Sequence, residues 1–149
     1  MRHINKYIYP KTIRVSIDGK RHYDINDKEK LPSVTTILSK TQTAEKTEGL
    51  RKWREFKGEA EATRIVDESA ARGTAMHKIL EEYIKGDGYL DLTNVGKEAH
   101  NMAMKVIADG LCNVSEYYGL ESTLYYPGLY AGATDMIGLH NNRMAIIDF

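Results

Sequence analysis

The chain has 149 residues, with 21 Lys+Arg balancing 21 Asp+Glu, so its formal net charge is zero. Apolar types make up 42%, enough for a packed core and too many for a disordered chain. No apolar run approaches the roughly 20 residues of a membrane span, and Met1 to Pro10 lacks the apolar stretch of a secretory signal. Cys112 is the only cysteine, which excludes an internal disulfide and any four-cysteine zinc or iron–sulfur site supplied by this chain alone. A reducing, cytoplasmic setting fits. The neutral balance does not favour a basic wrapper of nucleic acid, but it is compatible with a local site whose charge comes from bound metal.

In chain order, Ile13, Val15 and Ile17 alternate, Asp18-Gly19 supplies a two-residue turn, and Lys20 to Ile25 returns as the second strand of a hairpin. The charged run Asp27 to Lys30 reads as a solvated loop. Pro32 disfavours helix before it, and Ser33 or Thr35 can cap a short helix carrying Val34, Ile37 and Leu38 inward. Ala44 to Lys85 is helix-rich. Leu50, Trp53 and Phe56 follow a three-residue spacing with Arg51, Lys52 and Arg54 outside, and a second helix ends at Gly86-Asp87-Gly88. A third helix covers about Val95 to Ala108, with Val95, Ala99, Met102, Ala103, Val106 and Ile107 on one side. Glu121 to Tyr126, Tyr130 to Leu139 and Met144 to Phe149 read as three strands, the last two joined by an Asn141-Asn142 turn. A hairpin and helices followed by antiparallel strands predict an α+β fold.

Two groups of residues carry candidate chemistry. On the second helix, Met76, Ile79, Leu80, Tyr83 and Ile84 form an apolar stripe with His77 at its edge. Gly73, one turn earlier, has no Cβ and would permit close approach of a backbone or a phosphate. Arg72 adds a planar donor suited to phosphate. By itself His77 fits an ordinary boundary histidine as well as a ligand. On the strands, Asp135 follows Gly132-Ala133-Thr134 and Asp148 follows Ala145-Ile146-Ile147. The Asn141-Asn142 turn can bring these two aspartates onto neighbouring strands. Two converging carboxylates repel, and a hard cation relieves that repulsion; two solvated strand-end aspartates are the plainer alternative. Glu121, placed at the start of the preceding strand, is a third acidic candidate. The stretch Lys46 to Lys57 reads as a solvated helix face or as a contact to a DNA backbone, with Trp53 either core or a stacking platform.

Four pieces in this order resemble the RecB-like branch of the PD-(D/E)XK nucleases, in particular the phage and mitochondrial genome-maintenance type of single-strand DNA exonuclease. They are Leu-Pro-Ser-Val-Thr-Thr-Ile-Leu at 31–38, Arg-Gly-Thr-Ala-Met-His at 72–77, Gly-Ala-Thr-Asp at 132–135 and Ile-Ile-Asp-Phe at 146–149. The similarity runs from about Tyr23 to the last residue.

The resemblance implies a restriction-endonuclease-like core and a metal-dependent DNA exonuclease working on DNA ends or single strands, in replication or recombination. It implies Mg²⁺ or Mn²⁺ held by His77, Asp135, Asp148 and the main-chain carbonyl of Phe149, with Glu121 a further acidic member of the catalytic set. Ser33, Thr35, Thr36, Arg72 and Thr74 would meet DNA phosphates or position the helices through which a strand passes. Metal in such a site polarises the phosphate, helps to deprotonate water and stabilises the leaving oxygen.

The family's Asp-x-Lys needs a lysine directly after Phe149, where this sequence stops. The expectation is therefore the N-terminal part, 1–149, of one nuclease domain, incomplete in its core, either a split half whose lysine a second polypeptide supplies or a truncated product, with little turnover by this chain alone. Lys78 and Lys85 are poorly placed on their helix to substitute. An inactive DNA-binding or assembly module on the same scaffold is the alternative.

Overall fold

The computed structural model describes every residue, 1–149. Four α-helices and two sheets make it α+β, as the sequence predicts. The chain divides into two compact units: Ala44–Val114 with Met1 and Phe149, and Arg2–Thr43 with Ser115–Asp148.

The second of these holds both sheets. In the three-stranded sheet, β2 (Thr12–Ile17) and β3 (Lys20–Ile25) form the expected hairpin, with Ile17 opposite Lys20. Asp18 and Gly19 both adopt positive φ, 50° and 70°, the mirror-image turn whose twist matches the strands it joins. The charged run beyond does not stay a loop. Asn26 and Asp27 turn the chain with positive φ, and Glu29 and Lys30 already belong to β4 (Glu29–Pro32), which pairs with β3 so that Leu31 lies opposite Tyr23. Charge does not forbid an edge strand, because alternate side chains point to water. Tyr23, Ile25, Leu31 and Ala131 pack together as a buried cluster.

Helix α1 (Val34–Lys40) starts where Pro32 and Ser33 predict, with Ser33 as N-cap. Its buried face differs from expectation: Thr36 is buried and Leu38 is 61% exposed. In a helix of two turns, apolar spacing cannot fix the inward face, and the Thr36 hydroxyl turns it by donating to the Arg21 carbonyl at 2.9 Å.

The four-stranded sheet has the order β1-β5-β6-β7. β1 (Arg2–His3) is a two-residue strand, parallel to β5 (Val114–Tyr126), with Arg2 opposite Glu116. Sequence pattern gave no sign of it, since two residues carry no period. β6 (Tyr130–His140) and β7 (Arg143–Ile147) are antiparallel, with His140 opposite Arg143 and Met136 opposite Ile147. Asn141 and Asn142 adopt φ of 49° and 59°, the conformation for which asparagine is suited.

The helical unit contains α2 (Ala44–Lys57), α3 (Glu59–Lys85) and α4 (Asn94–Asp109), followed by a 3₁₀ turn, Leu111–Asn113. α3 buries Ala62, Met76, Ile79, Leu80 and Ile84. It ends on Gly86 in the left-handed conformation, as a glycine there predicts. α4 packs along α3 and is capped by Thr93, whose hydroxyl accepts from Gly96 N–H at 3.0 Å. Asp91 secures that cap by accepting from the Thr93 hydroxyl at 2.7 Å and the Thr93 N–H at 2.9 Å. These bonds hold its carboxyl below the usual aspartate range, the hydroxyl first and the backbone second.

The apolar stripe expected on α2 is not covered: the helix has no buried residue, and Phe56 is 84% exposed. Tyr83 and Met102, both assigned to inner stripes, are exposed as well. Periodicity finds a stripe, and what covers it is decided by neighbours distant in sequence. No helix is long and apolar enough to cross a membrane.

Candidate metal centre

Asp135 sits within β6 and Glu121 within β5, and these strands are neighbours. Glu121 lies well inside β5 and does not start a strand as its sequence context implied. A carboxylate oxygen of each comes within 4.8 Å of the other. At that distance two unit charges repel by about 1 kcal/mol in water and about 3–4 kcal/mol at the effective dielectric near a protein surface. Asp135 is partly buried and Glu121 is exposed, so the repulsion falls between these limits. A hard divalent cation taking an oxygen from each removes it.

Glu121 has a backbone φ of 50°. Left-handed backbone is unfavourable for a residue with a Cβ, at about 1–2 kcal/mol, and such residues persist only where the surroundings fix them. Here the strain falls on the residue that brings its carboxylate to Asp135. No sequence signal announced it, because glutamate has no preference for this conformation.

Asp148 is exposed and follows the last residue of β7. Met136 opposite Ile147 is the final printed pair of the β6–β7 ladder. β7 ends at Ile147, so the strand expected over Met144 to Phe149 stops one residue short of the aspartate, and the carboxylate brought close to Asp135 is that of Glu121.

His77 lies on α3 in the helical unit, partly buried beside the buried Met76. Its ring is 5.8 Å, centroid to centroid, from that of Phe149 and inclined at 55°. Lys78 and Lys85 are committed elsewhere: Lys78 Nζ lies 2.6 Å from Glu82, and Lys85 pairs with Glu81. These carboxylates hold both amines above the usual lysine range, Glu82 chiefly for Lys78 and Glu81 chiefly for Lys85. Neither is available as a base, in keeping with their poor placement in the sequence.

The residues expected at DNA phosphates divide into two kinds. Ser33 is 1% exposed. Its hydroxyl accepts from Thr36 N–H at 3.0 Å and lies 2.9 Å from the Thr36 hydroxyl. Burial leaves these two no surface for a phosphate, and their role is to cap α1 and fasten it to the hairpin. Thr35 and Thr74 are exposed. Arg72 pairs with Glu98 of α4 at 2.8 Å. A Cβ on Gly73 would meet nothing within 4 Å, so no neighbouring backbone makes the close approach that its lack of a side chain allows.

No family model matches this sequence, and no curated protein matches it.

Proposed function

We propose that this chain is the metal-binding part of a DNA exonuclease of the kind its motifs resemble, hydrolysing phosphodiesters at DNA ends or in single strands with Mg²⁺ or Mn²⁺. The observation that carries the proposal is the Glu121–Asp135 pair, within 4.8 Å and held by a strained backbone at Glu121. The carboxylates of Glu121 and Asp135 fit such an ion, because oxygen ligands suit Mg²⁺ and Mn²⁺; His77 is the further ligand that the Arg-Gly-Thr-Ala-Met-His motif implies. Asp148 and the Phe149 carbonyl are the further ligands that the Ile-Ile-Asp-Phe motif implies. Bound there, the ion would supply Lewis-acid polarisation of a phosphate and a more acidic water. The protein's own part is to hold the two carboxylates close together, while the exposed Thr35 of the same unit would meet the DNA backbone.

A purely electrostatic DNA-binding module is less well supported. Arg51, Arg54, Arg64, Arg72, Lys78 and Lys85 all engage carboxylates of the chain itself, which leaves them less free to neutralise phosphates.

Titration with Mn²⁺, followed by calorimetry and by the spin resonance of the free ion, tests the proposal. The chain should bind Mn²⁺, and Asp135→Asn should weaken binding at least tenfold. Affinity for a single-stranded oligonucleotide should rise with Mn²⁺ in the parent chain and not in the variant. Equal Mn²⁺ uptake by both proteins would remove the metal centre from Asp135 and the proposal with it.

A further inference from the structure

We infer that Thr134 is a positioning residue for the acidic pair, fixing Glu121 against Asp135 through the backbone of β5; this rests on the metal-centre reading above. Thr134 directly precedes Asp135, and its hydroxyl donates to the carbonyl of Ser122 at 3.2 Å. Ser122 directly follows Glu121. One hydrogen bond thus joins the immediate neighbours of the two carboxylates across adjacent strands.

A regular ladder would not need such a bond, because its own main-chain pairing fixes the register. β5 is irregular at this point. With φ of 50° at Glu121, the backbone there departs from the extended conformation of the rest of the strand. Side-chain hydrogen bonds gather around this residue. The Ser122 hydroxyl donates to the Leu120 carbonyl at 3.3 Å, spanning the strained residue. Gly119 permits the fold-back, since a Cβ there would lie 2.6 Å from the Ser122 hydroxyl and 2.6 Å from that of Tyr9. The Tyr9 hydroxyl in turn donates to the Tyr118 carbonyl at 3.0 Å. Among these restraints, Thr134 is the one that reaches from β6 to β5 beside the carboxylates.

Successive strand residues face opposite sides of a sheet. Thr134 therefore points away from Asp135 and touches no ion itself; its effect passes through the Ser122 carbonyl. Residues that orient ligands in this indirect way affect metal affinity by about 10–100-fold.

The test compares Mn²⁺ affinity in the parent chain, Thr134→Val and Thr134→Ser, with folding of each checked by circular dichroism. Valine keeps the branched shape and removes the donor; serine keeps the donor and removes a methyl. The expected result is about tenfold weaker Mn²⁺ binding by Thr134→Val and near-parental binding by Thr134→Ser. Should Thr134→Val fail to fold, Thr134→Ala removes the same donor without bulk and is read the same way. A parent chain that binds Mn²⁺ with a Thr134→Val variant that binds it equally well overturns the positioning role alone. So does a Thr134→Ser variant as impaired as Thr134→Val, because packing and not the hydroxyl would then be responsible. A parent chain that takes up no Mn²⁺ overturns the metal centre itself and the positioning role with it.

Discussion

Glu121 offers a direct measure of how far a local backbone is constrained to serve a site. Two variants separate the effects. Glu121→Ala removes the carboxylate and keeps a Cβ in left-handed backbone at φ 50°. Glu121→Gly removes the carboxylate and the strain together. Every contact of the glutamate side chain is lost in both, so their difference isolates the backbone. Strain relief is worth about 1–2 kcal/mol, and the greater unfolded-state freedom of glycine subtracts about 0.4–1 kcal/mol. Glycine should therefore exceed alanine in stability by about 1 kcal/mol, which is about 2–4 °C in Tm for a chain of this size. Thermal and urea unfolding followed by circular dichroism, in metal-free buffer, give the comparison. Added Mn²⁺ should raise the Tm of the parent chain, since a ligand that binds only the folded state stabilises it, and raise that of either variant much less. An alanine variant as stable as the glycine variant would show that Glu121 is not strained in solution, and the argument linking its conformation to the acidic pair would fail.

Two further outcomes follow from the capping groups. Ser33→Ala should lower stability by about 1–2 kcal/mol, because it removes an N-cap and leaves Thr36 N–H without that acceptor in a buried setting; urea unfolding measures it, and a loss below about 0.3 kcal/mol would contradict the capping role. The Asp91 carboxyl is held below its ordinary range by Thr93, so its contribution is present above about pH 4 and is lost as pH falls through the lowered folded-state value. Amide exchange at the start of α4 should accordingly quicken with acid in the parent chain, relative to the rest of that helix, and show no such pH dependence in Asp91→Asn.

The elements most legible in the sequence were those whose signal is local. The Asp18-Gly19 and Asn141-Asn142 turns and the Gly86 stop each depend on what one or two side chains allow the backbone to do, and each stands where it was expected, while of the two cap candidates Ser33 and Thr35 the structure uses Ser33. Long apolar periodicity located α3 and α4 for the same reason. Local pattern failed where the outcome depended on distant partners. β1 has two residues and exists because β5 offers it a parallel edge. Phe56 and Leu38 have the spacing of core residues and lie in solvent. Glu29 and Lys30 look like loop and pair with β3.

The acidic candidates show the same division. Asp135 could be set in a strand from the sequence alone, and the two-residue turn fixes the register of the hairpin that carries it, whereas Asp148 falls just beyond the end of β7. Glu121 could only be suspected. It stands beside Asp135 with a left-handed backbone that no residue of β5 demands by itself, amid contacts of Gly119, Ser122, Tyr9 and Thr134. A turn is written in the few residues that make it, whereas a strained strand is the sum of contacts from segments far apart in the chain, and that sum exists only once the chain is folded.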